Sequence, residues 1–404
     1  MSSVTNIAWI ARYAGVSAML SILVSTPGYA DEGRAAGGVN YSGSLKLSAG
    51  HIDNMYYSGD GEEVESDVWL LAPRLGVSLA RGTGRYSLDY YGEVGEFDIS
   101  SEDDYFDHTI EAKADIRPLT RHSFNISLKA EDQHDEYGFN RTLGDPVIAD
   151  RELDQYRQGT FFLKYNYGSE TGRLQPYLAL RALDKNYYTN EDDTQFLDHQ
   201  SLGGSAGLIY RWRPKVHFLG QVLVGQIEYD ETIPGLPSFD GDFTQYLVGG
   251  QWEATAKTTG RILVGYFSRE FDDVDRVELD GASWEVELGW TPKSYSRVFF
   301  RSGQSVKEQI LQGENSINTE FYALGWRHNW TQRFYTEFEV EQFDYEFAGI
   351  GRDDDSLRFE AALGYQFYER YKVRLAFDSL DYDSSIPAVP SERNKIFLSI
   401  EASI

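Results

Sequence analysis

The chain of 404 residues contains no cysteine, only 3 methionines and 11 prolines. Without cysteine neither a disulfide scaffold nor a zinc-thiolate site can form. No apolar run reaches the roughly 20 residues that a membrane-spanning helix needs, so a polytopic helical membrane protein is excluded. Basic residues are scarce, 37 against 64 acidic ones, for a formal charge of -27. A phosphate backbone requires the opposite balance, which excludes nucleic acid as a partner. Intrinsic disorder is excluded as well, because 28 Tyr, 23 Phe and 8 Trp far exceed what an unfolded chain carries.

The first 30 residues hold one charge, Arg12, followed by an apolar core from Ala14 to Val24. That core ends at Pro27, Gly28, Tyr29 and Ala30, just before Asp31 and Glu32. Half the length of a spanning helix and closed by small residues, it is predicted to be a cleaved signal peptide over 1–30. No cysteine follows the cleavage site, which removes a lipoprotein. The rest, 31–404, shows no linker, no low-complexity tract and no helical period, and is predicted to be a single domain.

What recurs is alternation. Phe334, Thr336, Phe338 and Val340 interleave with Arg333, Tyr335, Glu337, Glu339 and Glu341, a two-residue period that marks a strand with unlike faces. The same pattern runs through Trp284 to Trp290, Leu357 to Tyr365, Phe124 to Ala130 and Ile396 to Ile404. Each segment is about ten residues, enough to cross a bilayer as a tilted strand.

The connections fall into two classes. Short turns at 80–86, 117–122, 168–173, 211–215, 256–261, 291–297, 330–333 and 368–372 hold 15 Lys/Arg against 2 Asp/Glu. Between them, segments at 58–66, 96–104, 131–154, 189–198, 228–242, 270–280, 308–320, 344–355 and 378–392 hold 44 acidic residues and 4 basic ones. A soluble sandwich has no reason to sort charge and loop length in strict alternation, whereas in a membrane barrel every second connection emerges on the same side. The predicted fold is all-β, a transmembrane antiparallel up-and-down β-barrel of about 18 strands with both termini periplasmic. Two aromatic bands fit it: Tyr56, Tyr57, Tyr105, Phe106, Tyr187, Tyr188 and Tyr229 near the long loops, and Tyr86, Trp212, Trp290, Trp330, Tyr368 and Tyr371 near the turns.

If the apolar faces meet lipid, the opposite faces line a lumen. Alternation places the cations Lys46, Arg74, Lys113, Lys129, Lys164, Arg181, Arg269, Arg301, Arg358 and Arg374 inside. It places Glu285, Glu287, Glu337, Glu339 and Glu360 there too, with the aromatics Tyr91, Phe162, Phe267 and Phe299. This set is the predicted translocation path, where charged side chains pair across the wall or hydrate a channel.

No catalytic motif survives scrutiny. Gly203 to Gly207 matches G-x-S-x-G, but it lies in an alternating strand rather than a strand-to-helix elbow. The seven histidines show no ligand spacing, and the acidic triplets Glu191 to Asp193 and Asp353 to Asp355 have no EF-hand register. No enzyme activity, cofactor or metal is expected.

The basic turns Arg117-Pro118-Leu119-Thr120-Arg121-His122, Trp212-Arg213-Pro214-Lys215 and Thr291-Pro292-Lys293-Ser294-Tyr295-Ser296-Arg297, with the hairpin pattern, resemble the outer-membrane β-barrel porin family encoded with exopolysaccharide and capsule clusters. The chain departs from the pattern of such barrels in ending on Ile404 rather than an aromatic residue. The resemblance implies an 18-stranded channel in the bacterial outer membrane that passively conducts a secreted exopolysaccharide. Its implied partners are outer-membrane lipids, lipopolysaccharide, the polysaccharide itself and a periplasmic polysaccharide-export protein. The alternative is a general or substrate-selective diffusion porin for small solutes. That reading expects a long inward-folded loop with opposed Arg and Asp/Glu, for which the segment from Glu131 to Asp154, with Arg141, Asp145, Asp150 and Arg151, is the candidate.

Overall fold

The structure, a computed structural model, describes residues 34–36, 38–59, 61–138, 152–169, 171–255, 257–309, 315–348, 351–385 and 391–404. The predicted signal peptide lies outside the described residues, as do Arg141, Asp145, Asp150 and Arg151. A three-residue strand β1 (Arg34–Ala36) precedes β2 (Val39–Ile52), β3 (Ser66–Arg81), β4 (Gly84–Phe97), β5 (Tyr105–Leu119), β6 (His122–Asp135), β7 (Asp154–Tyr167), β8 (Leu174–Tyr187) and β9 (His199–Arg213). Then come β10 (Val216–Tyr229), β11 (Gly241–Thr255), β12 (Thr258–Phe271), β13 (Leu279–Lys293), β14 (Ser296–Gln309), β15 (Asn315–Asn329), β16 (Phe334–Phe347), β17 (Arg352–Phe367), β18 (Tyr371–Ser384) and β19 (Ser391–Ser403). A single helical turn α1 (Glu191–Thr194), continued by a 3-10 turn, sits between β8 and β9.

Each strand from β2 to β19 pairs antiparallel with the next, and β19 closes the ring on β2 through Ser403↔Ser44 to Lys395↔Ile52. The result is a closed 18-stranded barrel. β1 turns back at Gly38, at φ +87°, and pairs with β2 beyond the end of β19, covering an edge that would otherwise be open. Tracing the register once round the wall returns to β2 displaced by about 22 residues, which for 18 strands gives a tilt of about 40° and a backbone diameter of about 35 Å. Pairing slips between Ile116 and Leu119 and between Trp290 and Lys293, at Pro118 and Pro292, which have no N–H to donate.

The eight short connections lie at one end of the barrel, together with Val39 and Ser403. The long connections lie at the other. The strands are 13 to 16 residues long rather than ten, and they overrun the bilayer on the loop side. Carboxylates that the sequence allotted to loops therefore stand on strands. Asp353, Asp354 and Asp355 belong to β17: Asp354 is buried and inward, while its neighbours are exposed and point outward. Three consecutive strand residues cannot converge on one ion. Among the described residues no group of His, Asp or Glu is arranged to hold a metal.

The outer face is apolar, with Leu45, Leu47, Leu75, Leu88, Leu128, Val248, Leu324 and Leu398 all exposed. Tyr86, Trp212, Trp290, Trp330, Tyr368 and Tyr371 form an exposed band at the turn end, where amphipathic rings anchor a barrel at the water interface. The band at the loop end differs from expectation. Tyr56, Tyr57 and Tyr187 are buried, and the exposed aromatics there are Trp69, Phe106 and Tyr266. The physical reason is parity: Tyr105 and Tyr187 fall on the inner face, and Tyr56 and Tyr57 lie in a connection that folds inward.

Candidate functional site

Cross-strand partners share a face, so one exposed apolar residue per strand fixes which side is lumen. By this rule all nineteen residues of the predicted path stand on the inner wall. They do not behave alike.

From β14 to β18 the wall carries one continuous ion-pair ladder. Arg327 bonds Glu337 at 2.7 Å, and Glu337 also meets Arg374 at 3.5 Å. Arg374 reaches Glu360, which joins Arg358 at 3.9 Å. Arg358 donates to Asp378 at 2.6 Å and to Glu341 at 3.4 Å. Arg301 ends the ladder on Glu341 at 3.1 Å and Glu339 at 2.5 Å. Four guanidiniums thus bridge five carboxylates, and planar arginine suits such shared bonding better than lysine. Glu287 stands across from Arg301 in register, and Glu285 pairs with Arg261 at 3.1 Å. Arg327, Glu341 and Arg261 were absent from the predicted path; Arg327 and Arg261 lie beside turns, where basic residues read as rim charge.

Elsewhere the cations are less committed. Lys113 pairs with Glu111 at 2.7 Å and Lys129 with Glu131 at 2.8 Å, each two residues along its own strand. Lys46, Arg74, Lys164 and Arg181 have no carboxylate within ion-pair distance among the described residues; Arg74 leans on Tyr91, 5.8 Å from the ring centre. Arg269 is buried near the loop end, where it donates to the Phe239 carbonyl at 2.6 Å and so fixes the β10–β11 connection. It is a clamp on the wall rather than an open charge.

The inward aromatics divide in the same way. Phe299 lies directly across from Gly325, whose missing Cβ would come within 2.1 Å of the ring. Tyr335 covers Gly364, Tyr177 covers Gly207, Tyr105 covers Gly95 and Phe397 covers Gly50, each a direct cross-strand pair. Phe267 stands opposite Gly281 at ordinary contact distance. A ring laid flat over a glycine shields exposed backbone and stiffens the pair, so these aromatics are part of the wall. Phe162 has no such glycine; its partners in register are Ser127 and Arg181.

The lumen is narrowed at its loop end. Backbone pairing between β5 and β6 stops at His108↔Asp132, while β6 and β7 remain paired to Asp135↔Asp154; past that point the hairpin stays against β5 only through side chains, His134 bonding Asp107 at 3.0 Å and packing on the Tyr105 ring. Beyond it Glu136 meets Arg393 at 3.6 Å and Lys395 at 3.5 Å on β19, five strands away around the ring. That contact runs across the mouth. Burial pushes the Glu136 carboxyl up, but Lys395 and Arg393 outweigh it and hold it at about 2. The β2–β3 connection packs against the same hairpin: Tyr56 and Tyr137 meet edge to face and both donate to Asp103, at 2.7 and 3.0 Å. Met55, Leu153 and Leu380 complete the cluster. Tyr57, at φ 56°, lies under the Arg393 guanidinium, and its ring occupies the place a side chain at Gly138 would need. Glu136, Arg393 and Lys395 carry no local pattern that could have marked them.

Residues 26–403 match the family model described as "Putative beta-barrel porin 2". The chain belongs to this porin family. It is a transport barrel of the bacterial outer membrane, and the family is one of channels rather than enzymes. No curated protein matches the chain. Among solved structures it is similar to OpdO of Pseudomonas aeruginosa, at 15% identity and a TM-score of 0.50, covering 90% of this chain and 97% of that one. OpdK of the same organism, crystallised with vanillate, gives 13%, 0.48, 90% and 99%, and OccAB3 of Acinetobacter baumannii gives 14%, 0.46, 90% and 99%. At these identities the likeness to OpdO is one of fold.

Proposed function

We propose that this porin is a passive diffusion channel for small solutes, with the turn end toward the periplasm and the loop end facing outward. The observation that carries the reading is the contact from Glu136 across the mouth to Arg393 and Lys395, with the aromatic cluster packed behind it. An inward-folded segment with opposed charges was the feature expected of a diffusion porin. It narrows the bore and limits solute size, whereas a polymer in transit needs a bore wide enough for its cross-section along the whole length and contacts weak enough to leave. The wall aromatics point the same way, since Phe299 and Tyr335 lie flat over glycines instead of offering stacking faces for sugar rings. Outer-membrane lipids and lipopolysaccharide surround the apolar face; neither the reaction of a substrate nor a cofactor is involved.

The test is paired. Proteoliposomes containing the barrel should swell in small solutes of a few hundred daltons and exclude larger oligosaccharides, and a deletion strain should keep its surface polysaccharide. Polymer trapped in the periplasm of that strain, with small-solute uptake unchanged, would replace this reading with the polysaccharide conduit and restore a periplasmic export protein as partner.

A further inference from the structure

On the inner wall of β7, β8 and β9 we infer a binding subsite for small organic anions, carboxylates above all, built from Lys164, Arg181, Thr160 and Ser205. This deepens the channel reading and rests on it for its physiological meaning. Lys164, Ala179 and Ser205 form one cross-strand row, and Phe162, Arg181 and Gly203 form the next. Adjacent rows on one face lie about 7 Å apart, so both cations border the space left by the small residues Ala179 and Gly203.

Four observations make this a site rather than a lined wall. Lys164 is 2% exposed, yet among the described residues its one partner is the Tyr177 ring, 4.0 Å from Nζ. Arg181 has a buried Nε with no hydrogen-bond partner among the described residues. The hydroxyls of Thr160 and Ser205, on residues each 8% exposed, are likewise without hydrogen-bond partners among the described residues. Buried polar groups are normally satisfied, and leaving several unmade in one place costs free energy that a ligand recovers on arrival. Two cations and two hydroxyl donors with no carboxylate within bonding distance among the described residues, the nearby Glu131 being paired with Lys129 at 2.8 Å, are what a carboxylate completes: one oxygen toward the guanidinium, the other toward the ammonium or a hydroxyl. In the ladder of β14 to β18 Arg301 and Arg327 also carry a buried Nε without a partner, but their terminal nitrogens bond carboxylates, which those of Arg181 do not among the described residues.

The experiment uses the full barrel in planar bilayers and, separately, in detergent. Under a KCl gradient the wild-type protein should pass chloride over potassium despite its net negative charge. Millimolar benzoate should reduce the current. Lys164→Gln with Arg181→Gln should lower the chloride preference several-fold and weaken benzoate block at least tenfold. Lys164→Arg should restore most of both, and Arg333→Gln, at an exposed turn, should change neither. Thr160→Ala and Ser205→Ala should weaken block two- to threefold. Cation preference in the wild type, or block unaltered in the double variant, would overturn the subsite. If no variant conducts, the channel reading fails by itself, and benzoate binding to the detergent-solubilised barrel decides the subsite: binding lost only with Lys164 and Arg181 supports it, and no binding overturns it.

Discussion

The two arcs of the inner wall use the same few residue types to opposite ends. Between β14 and β18 Arg301, Arg358 and Arg374 each have two or more carboxylates at bonding distance and Arg327 has Glu337, and the rings of Phe299 and Tyr335 lie over glycines. Between β7 and β9 Lys164 and Arg181 stand over small residues and an aromatic ring, with no carboxylate within ion-pair distance among the described residues. A charge surrounded by counter-charges is part of the wall's cohesion. A charge held without them remains available to whatever passes. Net charge is a poor guide to such a lumen, because 64 acidic residues against 37 basic ones say nothing of where the unpaired ones sit.

Breaking the ladder at its most connected member should produce the largest effect. Arg358 touches Glu341, Glu360 and Asp378, so Arg358→Ala leaves Asp378 without its cation and Glu341 and Glu360 with one arginine each, Arg301 and Arg374. Removing one partner from such a network costs about 3 kcal/mol, more than an isolated surface pair. Heat-induced unfolding in detergent should shift downward by many degrees, and the same substitution at Arg181 should shift it little. Equal losses at the two arginines would erase the distinction between the arcs.

The barrel itself was legible because alternation, basic turns and acidic loops are local patterns that a closed sheet imposes on every hairpin. So was the inner face, since the apolar side chains of a strand, such as Leu128, Val264 or Phe338, fix the parity of their neighbours. The division of labour was not. Whether Arg301 meets Glu339 and Glu341 while Arg181 meets no carboxylate depends on which strands adjoin and by how many residues each is staggered, and stagger leaves no mark on a single strand. The same holds for Phe299, whose role depends on Gly325 opposite it. Strand length was underestimated because hydropathy falls where a strand leaves the bilayer, although pairing continues. The contact across the mouth beyond β6 joins residues 136 and 393, far apart in the chain.

That contact extends the paired side of the lumen to the mouth, and pH tests it. With its carboxyl held at about 2, Glu136 stays charged through the range in which an ordinary glutamate protonates. A depressed value means the contribution is complete above the ordinary carboxylate range and is lost as pH falls through about 2. Single-channel current should therefore stay steady from neutral pH to about 4 and grow noisier only below that, as the hairpin is released. Glu136→Gln should show the noisy state at neutral pH. A transition near pH 6 in the wild type would locate the control elsewhere.

The smallest expected effect compares two phenylalanines. Phe299 covers Gly325 on the paired arc, and Phe162 stands beside Arg181 on the open one. Phe299→Ala removes a ring from a cross-strand pair and bares the backbone at Gly325, a loss of about 1 kcal/mol. The unfolding transition should fall by a few degrees while conductance and ion preference remain those of the parent, because the ring lies against the wall. Phe162→Ala removes a ring with no glycine beneath it, so its stability cost should be smaller. It should instead loosen the setting of the guanidinium and alter benzoate block two- to threefold. A Phe299 variant with changed ion preference would mean that the ring reaches into the path, and the paired arc would then belong to the conducting surface as well.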